Sequence, residues 1–211
     1  WTPEGLIKFL RRLIPEMERR GVDVFFGTME RANEQLVEEV LADPEIGARL
    51  GGVGFQWDGK RAVPFIHHDH PELKIYQSEQ ECGDGRNDWR YARYAWGMMR
   101  HYFNNGASVY DYWNLALDEG GVSRWGWSQN SFVTVDPETA QHRFNHEYYV
   151  WKHLAHFVRA GARFAPTLSY TGYENVLAFV NPDGSVVLAA QNDMSTDMPI
   201  SFGVDGRLVR L

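Results

Sequence analysis

Apolar residues at Leu6, Phe9, Leu10 and Leu13 recur at the spacing of an amphipathic helix, and Thr2-Pro3-Glu4 opens the run with a cap residue and a proline at the first helical position. The pattern predicts a helix to about Arg20, closed by Gly21. Residues 22–26 (VDVFF) then read as a short buried strand ending at Gly27. Residues 33–41 read as a second helix, broken by Asp43-Pro44, and residues 51–57 as another apolar strand. A mixed segment runs through His70. Residues 74–78 (KIYQS) are β-like and are stopped by Gly83-Asp84-Gly85. Tyr91, Tyr94, Ala95, Met98, Met99 and Tyr102 give residues 89–103 helical periodicity, residues 107–113 return to strand, and residues 145–158 form the last long helix. This alternation predicts successive βα units around a parallel sheet of about four strands, too few to close an eight-stranded barrel.

After Gly161 the texture changes. Residues 164–170, 176–181, 185–191 and 198–202 are short β runs, and Asn181-Pro182-Asp183-Gly184 is a hairpin signal. We therefore expect a boundary near residue 162, with an α/β unit over 1–162 and an antiparallel β unit over 163–211.

Composition narrows the classes. With 211 residues, 44% hydrophobic content and eight Trp, the chain has material for a sizeable core. The formal charge of −7 and the scattered Lys and Arg argue against a nucleic-acid surface, which needs clustered cations. Cys82 is the single cysteine, so neither a disulfide framework nor a thiolate metal site is expected. No apolar run approaches the roughly 18 residues that span a bilayer. The chain opens on Trp1 rather than on methionine, which we read as a fragment or a processed piece; the compartment stays open, secretion included.

Candidate chemistry gathers where strands end. Glu79 and Glu81 follow the strand over 74–78 and lead into a glycine-rich loop. In parallel α/β architectures the C-terminal ends of strands present catalytic groups. A lone acid in that place is ordinarily a solvated loop residue, but Trp57 ends the preceding strand, and Tyr110, Tyr112, Trp113 and Asn114 end the following one. Behind them a loop carries Trp125, Trp127, Gln129 and Asn130. Any one of these aromatics could be core packing; three strand ends with Trp or Glu in equivalent places describe a pocket.

Other motifs carry less. Gly54-Phe-Gln-Trp-Asp-Gly59-Lys60 matches most of a phosphate-binding loop and fails at Arg61, where a hydroxyl residue belongs. His67-His68-Asp69-His70 precedes Pro71 and reads as a solvated connection rather than a metal cluster. His142 with His146, and His153 with His156, lack an intervening acidic motif and read as packing histidines.

At TPEGLIKFL, LADPEIGARLGGVGFQW, QSEQECGDG, YDYWNLAL, GWSQNSFVTVD and YYVWKHLAHFVRAGA the chain resembles glycoside hydrolase family 30, retaining β-glycosidases that include glucosylceramidases. The resemblance implies an α/β fold: the C-terminal half of a (β/α)8 barrel, followed by part of an antiparallel β-sandwich side domain. It implies Glu79 as the nucleophile at the end of the seventh barrel strand, with Glu81 as the fallback on the same strand face. Gln56 and Trp57 match the family's His-Trp pair, and Trp113-Asn114 its eighth-strand Trp-Asn pair. Glu81, Tyr112, Trp113, Asn114, Trp127 and Asn130 are expected around the sugar, with Asn114 and the Trp57 and Trp127 indoles as donors to Glu79. The family's acid/base Glu, in an Asn-Glu-Pro motif, is not in this sequence, so the N-terminal barrel half is expected as a partner and the piece alone is expected to be inactive. Neither a metal nor an organic cofactor is implied. The substrate implied is a carbohydrate, most directly a β-glucoside of the glucosylceramide type. The competing expectation is a non-catalytic carbohydrate-binding module that keeps the aromatic pocket.

Overall fold

A computed structural model describes residues 2–210. The chain divides into two compact units between His156 and Phe157, six residues before the change of texture at 162.

The first unit opens with helix α1 (Pro3–Glu18), where the Thr2 hydroxyl accepts the Gly5 N–H at 3.2 Å. Strand β1 (Phe25–Met29) follows, running three residues beyond the expected end because Gly27 lies inside it. Helix α2 (Glu34–Leu41) is capped by the Asn33 side chain, which accepts the Leu36 N–H. Strand β2 (Gly52–Gln56) passes into a 3-10 turn (Trp57–Arg61) and helix α3 (Val63–Asp69). The segment with three histidines is thus partly helical: Pro64 sits in the first turn, where proline is tolerated, and His67 and His68 occupy the last. Strand β3 (Ile75–Glu79), helix α4 (Trp89–Asn104) and strand β4 (Ala107–Tyr110) complete a parallel sheet in the order β1-β2-β3-β4.

The two central strands carry the core. Val53 and Phe55 of β2 and Ile75 of β3 are wholly buried, as are Val37 and Val40 of α2, Val63 of α3, and Ala92, Ala95 and Met99 of α4. Continuous burial along a strand is what a parallel sheet covered by helices requires. The outer strands are less covered: Phe25 of β1 is 45% exposed and Val109 of β4 is 39% exposed.

Beyond β4 a small sheet forms from β5 (Ala116–Asp118), β6 (Val133–Val135) and β7 (His142–Phe144), with β6 parallel to β5 and antiparallel to β7. Helix α5 (His146–Ala155) ends the unit. The second unit is antiparallel: β8 (Arg163–Ala165), β9 (Val176–Val180) and β10 (Val186–Ala190) pair in the order β10-β9-β8, and β11 (Ser201–Val204) and β12 (Arg207–Arg210) form a hairpin. Among the described residues no helix is long and apolar enough to cross a membrane.

Candidate active site

β3 buries Ile75 and Gln77 and delivers Glu79 at its C-terminal end. That end is tied down on both sides. The Asp111 N–H beyond β4 donates to Gln77 Oε1 at 2.8 Å, the Ser78 hydroxyl donates to the Phe55 carbonyl at 3.2 Å, and it also meets the Thr28 hydroxyl of β1.

Glu79 stands beside Gln56 in the β2–β3 register. The chain then turns sharply at Trp57, whose φ of 47° lies in the left-handed region, and the indole Nε1–H donates to Glu79 Oε1 at 2.9 Å. Burial pushes the Glu79 carboxyl above its ordinary range, the Trp57 hydrogen bond pulls it back, and the nearby charge of Glu30, just past β1, adds to the rise.

Glu81 is held differently. The alternation that would put it on the face of Glu79 ends with β3 at Glu79 itself. Its carboxylate is paired with Lys60, whose Nζ also donates to the Trp57 carbonyl at 3.0 Å. Trp57, Glu81, Cys82, Gly83, Tyr91 and Tyr94 line a pocket of 520 Å³, together with Asp84 and Arg90. The Tyr91 hydroxyl donates to the Glu81 carbonyl, and Arg90 Nη2 lies 3.3 Å from Asp84 Oδ2.

The glycine-rich loop is moulded on Asn130. Gly83 has φ +72°, and a Cβ there would meet the Asn130 side chain at 2.5 Å. Asn130 Oδ1 accepts the N–H groups of Gly85 (2.8 Å) and Asn87 (3.3 Å), and its Nδ2 donates to Glu147 Oε1 at 2.7 Å. The Tyr112 hydroxyl donates to the same Glu147 oxygen at 3.3 Å, while its ring stacks on Phe132 with centroids 3.8 Å apart. Asn130 and Glu147 are wholly buried. The Asn130 amide, expected at a sugar hydroxyl, thus meets the loop and Glu147, and the Tyr112 phenol, expected around the sugar, meets Glu147 as well. Burial pushes the Glu147 carboxyl up, against the pull of its Asn130 and Tyr112 hydrogen bonds.

Of the three donors expected around Glu79, Trp57 is the one bonded to it. Asn114 Nδ2 donates instead to the Asn130 carbonyl at 3.3 Å, and Trp127 stacks on Trp125 with centroids 5.6 Å apart. Trp113 and Trp127 remain open to solvent, at 39% and 46% exposure. Three residues were missed from sequence: Lys60, Glu30 and Glu147. Lys60 and Glu30 both lie just past strand ends, which was the available signal. Glu147 lies in a helix, and nothing in its neighbourhood announced a buried acid. Among the described residues, no group of three or more His, Cys, Asp or Glu is placed to hold a metal ion.

No family profile matches the chain. The lysosomal acid glucosylceramidase of Mus musculus is 24% identical to it in an alignment of 222 positions that covers 96% of this chain and 43% of that relative. Among solved structures, SrfJ from Salmonella typhimurium superposes with a TM-score of 0.89 at 24% identity, over 100% of this chain and 50% of SrfJ. An endo-β1,6-glucanase gives 0.84 at 21% identity, over 100% and 51% of the two chains. A glycoside hydrolase family 30 subfamily 8 xylanase from Clostridium acetobutylicum gives 0.76 at 18%, over 98% and 49%. The chain therefore spans about half the length of these proteins. Its parallel sheet and antiparallel unit correspond to the C-terminal half of a (β/α)8 barrel and part of a side β-sandwich. In sequence and in fold, the chain is similar to the C-terminal half of glycoside hydrolase family 30 proteins.

Proposed function

We propose that this chain carries the nucleophile of a retaining β-glycosidase, that the nucleophile is Glu79, and that the substrate is a β-glucoside. The observation that carries the reading is the setting of Glu79: a carboxyl at the C-terminal end of a parallel strand, partly open, and oriented by one indole N–H at 2.9 Å. Its similarity to a glucosylceramidase over nearly the whole chain supports the reaction class and the sugar.

In this reaction one Glu79 oxygen attacks the anomeric carbon as the bond to the leaving oxygen breaks, and a second carboxyl group protonates that oxygen. The same group then deprotonates a water, which attacks the glycosyl-enzyme ester, so two inversions restore the starting configuration. The two carboxyl groups must stand about 5 to 5.5 Å apart. The acid/base partner belongs to the Asn-Glu-Pro strand end that these 211 residues lack. The Trp57 hydrogen bond fixes one oxygen of Glu79 and leaves the other for attack. Its pull on the carboxyl favours the ionised form against the opposing effect of burial. Trp113 and Trp127 offer exposed aromatic faces for the sugar's C–H surface. Glu81, occupied by Lys60, serves the wall of the pocket rather than the attack.

The test is covalent trapping in the full-length protein with a 2-fluoro-β-glucoside bearing a good leaving group, read by peptide mapping. The sugar is expected on Glu79, and Glu79→Gln is expected to abolish labelling and lower kcat by on the order of 10⁴-fold or more. A label on Glu81 would move the nucleophile there. Sugar binding without any label would favour a non-catalytic binding module.

A further inference from the structure

The 3-10 turn after β2 does more than reverse the chain. Trp57 holds a left-handed backbone, φ 47°, that a bulky side chain adopts only when its surroundings impose it. Those surroundings are specific. Gly59 donates its N–H to the Glu30 carbonyl at 3.0 Å and approaches β1 so closely that a Cβ would meet the Met29 carbonyl oxygen at 1.9 Å. His101 of α4 donates from Nε2 to the Lys60 carbonyl at 2.7 Å. The Lys60 ammonium then closes the turn on itself, reaching back to the Trp57 carbonyl at 3.0 Å while pairing with the Glu81 carboxylate. Both ends of that pair are largely covered, with side chains 22% and 30% exposed.

We infer that Lys60 is a positioning residue for Glu79: by bridging the Trp57 carbonyl and the Glu81 carboxylate, it holds the Trp57 indole on Glu79. The inference rests on the assignment of Glu79 as nucleophile. Two effects follow from one ammonium. The first is geometric: a three-donor point charge on a flexible stem can satisfy a carbonyl and a carboxylate together, and the carbonyl it takes belongs to the residue whose indole orients Glu79. The second is electrostatic. Glu81 lies two residues from Glu79, and its charge, left uncompensated, would oppose ionisation of the nucleophile as that of Glu30 already does.

The test uses the full-length protein labelled with 5-fluorotryptophan, with the Trp57 fluorine resonance assigned by Trp57→Phe. Lys60→Met is expected to shift that resonance and to slow fluoroglucoside labelling of Glu79 about tenfold. Lys60→Arg, which keeps a cation, should stay closer to wild type in both. The double variant Lys60→Met/Glu81→Gln should recover part of the labelling rate lost in Lys60→Met, because the unpaired charge is gone. It also carries the resonance test if Lys60→Met does not fold. A Trp57 resonance unmoved by loss of Lys60 overturns the inference, and so does a double variant that labels no faster than Lys60→Met. Absence of labelling in the wild-type protein would instead sink the glycosidase reading, leaving the resonance to judge whether Lys60 places Trp57.

Discussion

Glu79 and Glu147 are both carboxyl groups pushed above their ordinary range by burial, and they differ in almost everything else. Glu79 stands at a strand end, partly open, with a single indole donor and the charge of Glu30 nearby. Glu147 is sealed in the first turn of α5, receives an amide and a phenol on one oxygen, and shows nothing to solvent. A raised carboxyl pKa therefore does not by itself mark a reactive group. Both acids take their hydrogen bonds on one oxygen, so what separates them is access: Glu79 is partly open and Glu147 is closed to solvent. Glu147 spends its chemistry on Asn130, and Asn130 spends its own on the loop that follows Glu79 and Glu81.

The sharpest way to break this contrast is to truncate the sealed acid. Glu147→Ala should orphan Asn130 Nδ2 and the Tyr112 hydroxyl and cost about 3 kcal/mol. For a domain of this size that is roughly 10 °C in Tm. Amide exchange at Gly85 and Asn87, whose N–H groups rest on Asn130, should accelerate with it. A melting point within about 2 °C of wild type would mean that the cluster does not hold the loop. Trp57→Phe keeps an aromatic ring, smaller than the indole, and deletes the donor to Glu79. Its expected effect is on chemistry rather than on folding. With less to oppose burial and Glu30, the carboxyl should rise further, and the acidic limb of the labelling profile should move to higher pH. The rate on that limb should fall about tenfold, with Tm little changed. An unmoved limb would mean that the indole does not tune Glu79.

How much of this was legible in the sequence depended on the range of the interactions. The ends of α1 and α2 were readable because Thr2 and Asn33 cap through their own first turns. The strand that delivers Glu79 was readable because its alternation and the glycine stop are local. Helix α3 was missed because proline and a histidine cluster suggest a connection, while the burial of its Val63 and Ile66 is a tertiary fact. The sheet of β5, β6 and β7 was missed because three-residue strands carry no periodicity of their own. At the site, Glu79 and Trp57 could be placed by strand-end position. The partners of Asn130 could not, since Gly85 and Glu147 lie 45 and 17 residues away in the chain. An amide beside tryptophans reads the same whether it faces a sugar or a buried carboxyl.

The smallest expected effect tests the same contrast by changing charge without changing shape. Glu147→Gln keeps an acceptor for Asn130 and Tyr112 and removes the ionisation. A carboxyl raised by folding keeps its proton in the folded state at pH values where the unfolded chain has already released it. Its contribution to stability is therefore fully present below the unfolded value of 4.5 and is lost as pH rises through the folded value. Wild type and Glu147→Gln should then lie within about 1 kcal/mol of each other at pH 4.5, with the difference moving in favour of the variant as pH rises toward 8. Parallel Tm-versus-pH curves would show that Glu147 stays ionised in its sealed site. Burial would then have failed to distinguish it from an open carboxyl, and the contrast with Glu79 would rest on access alone.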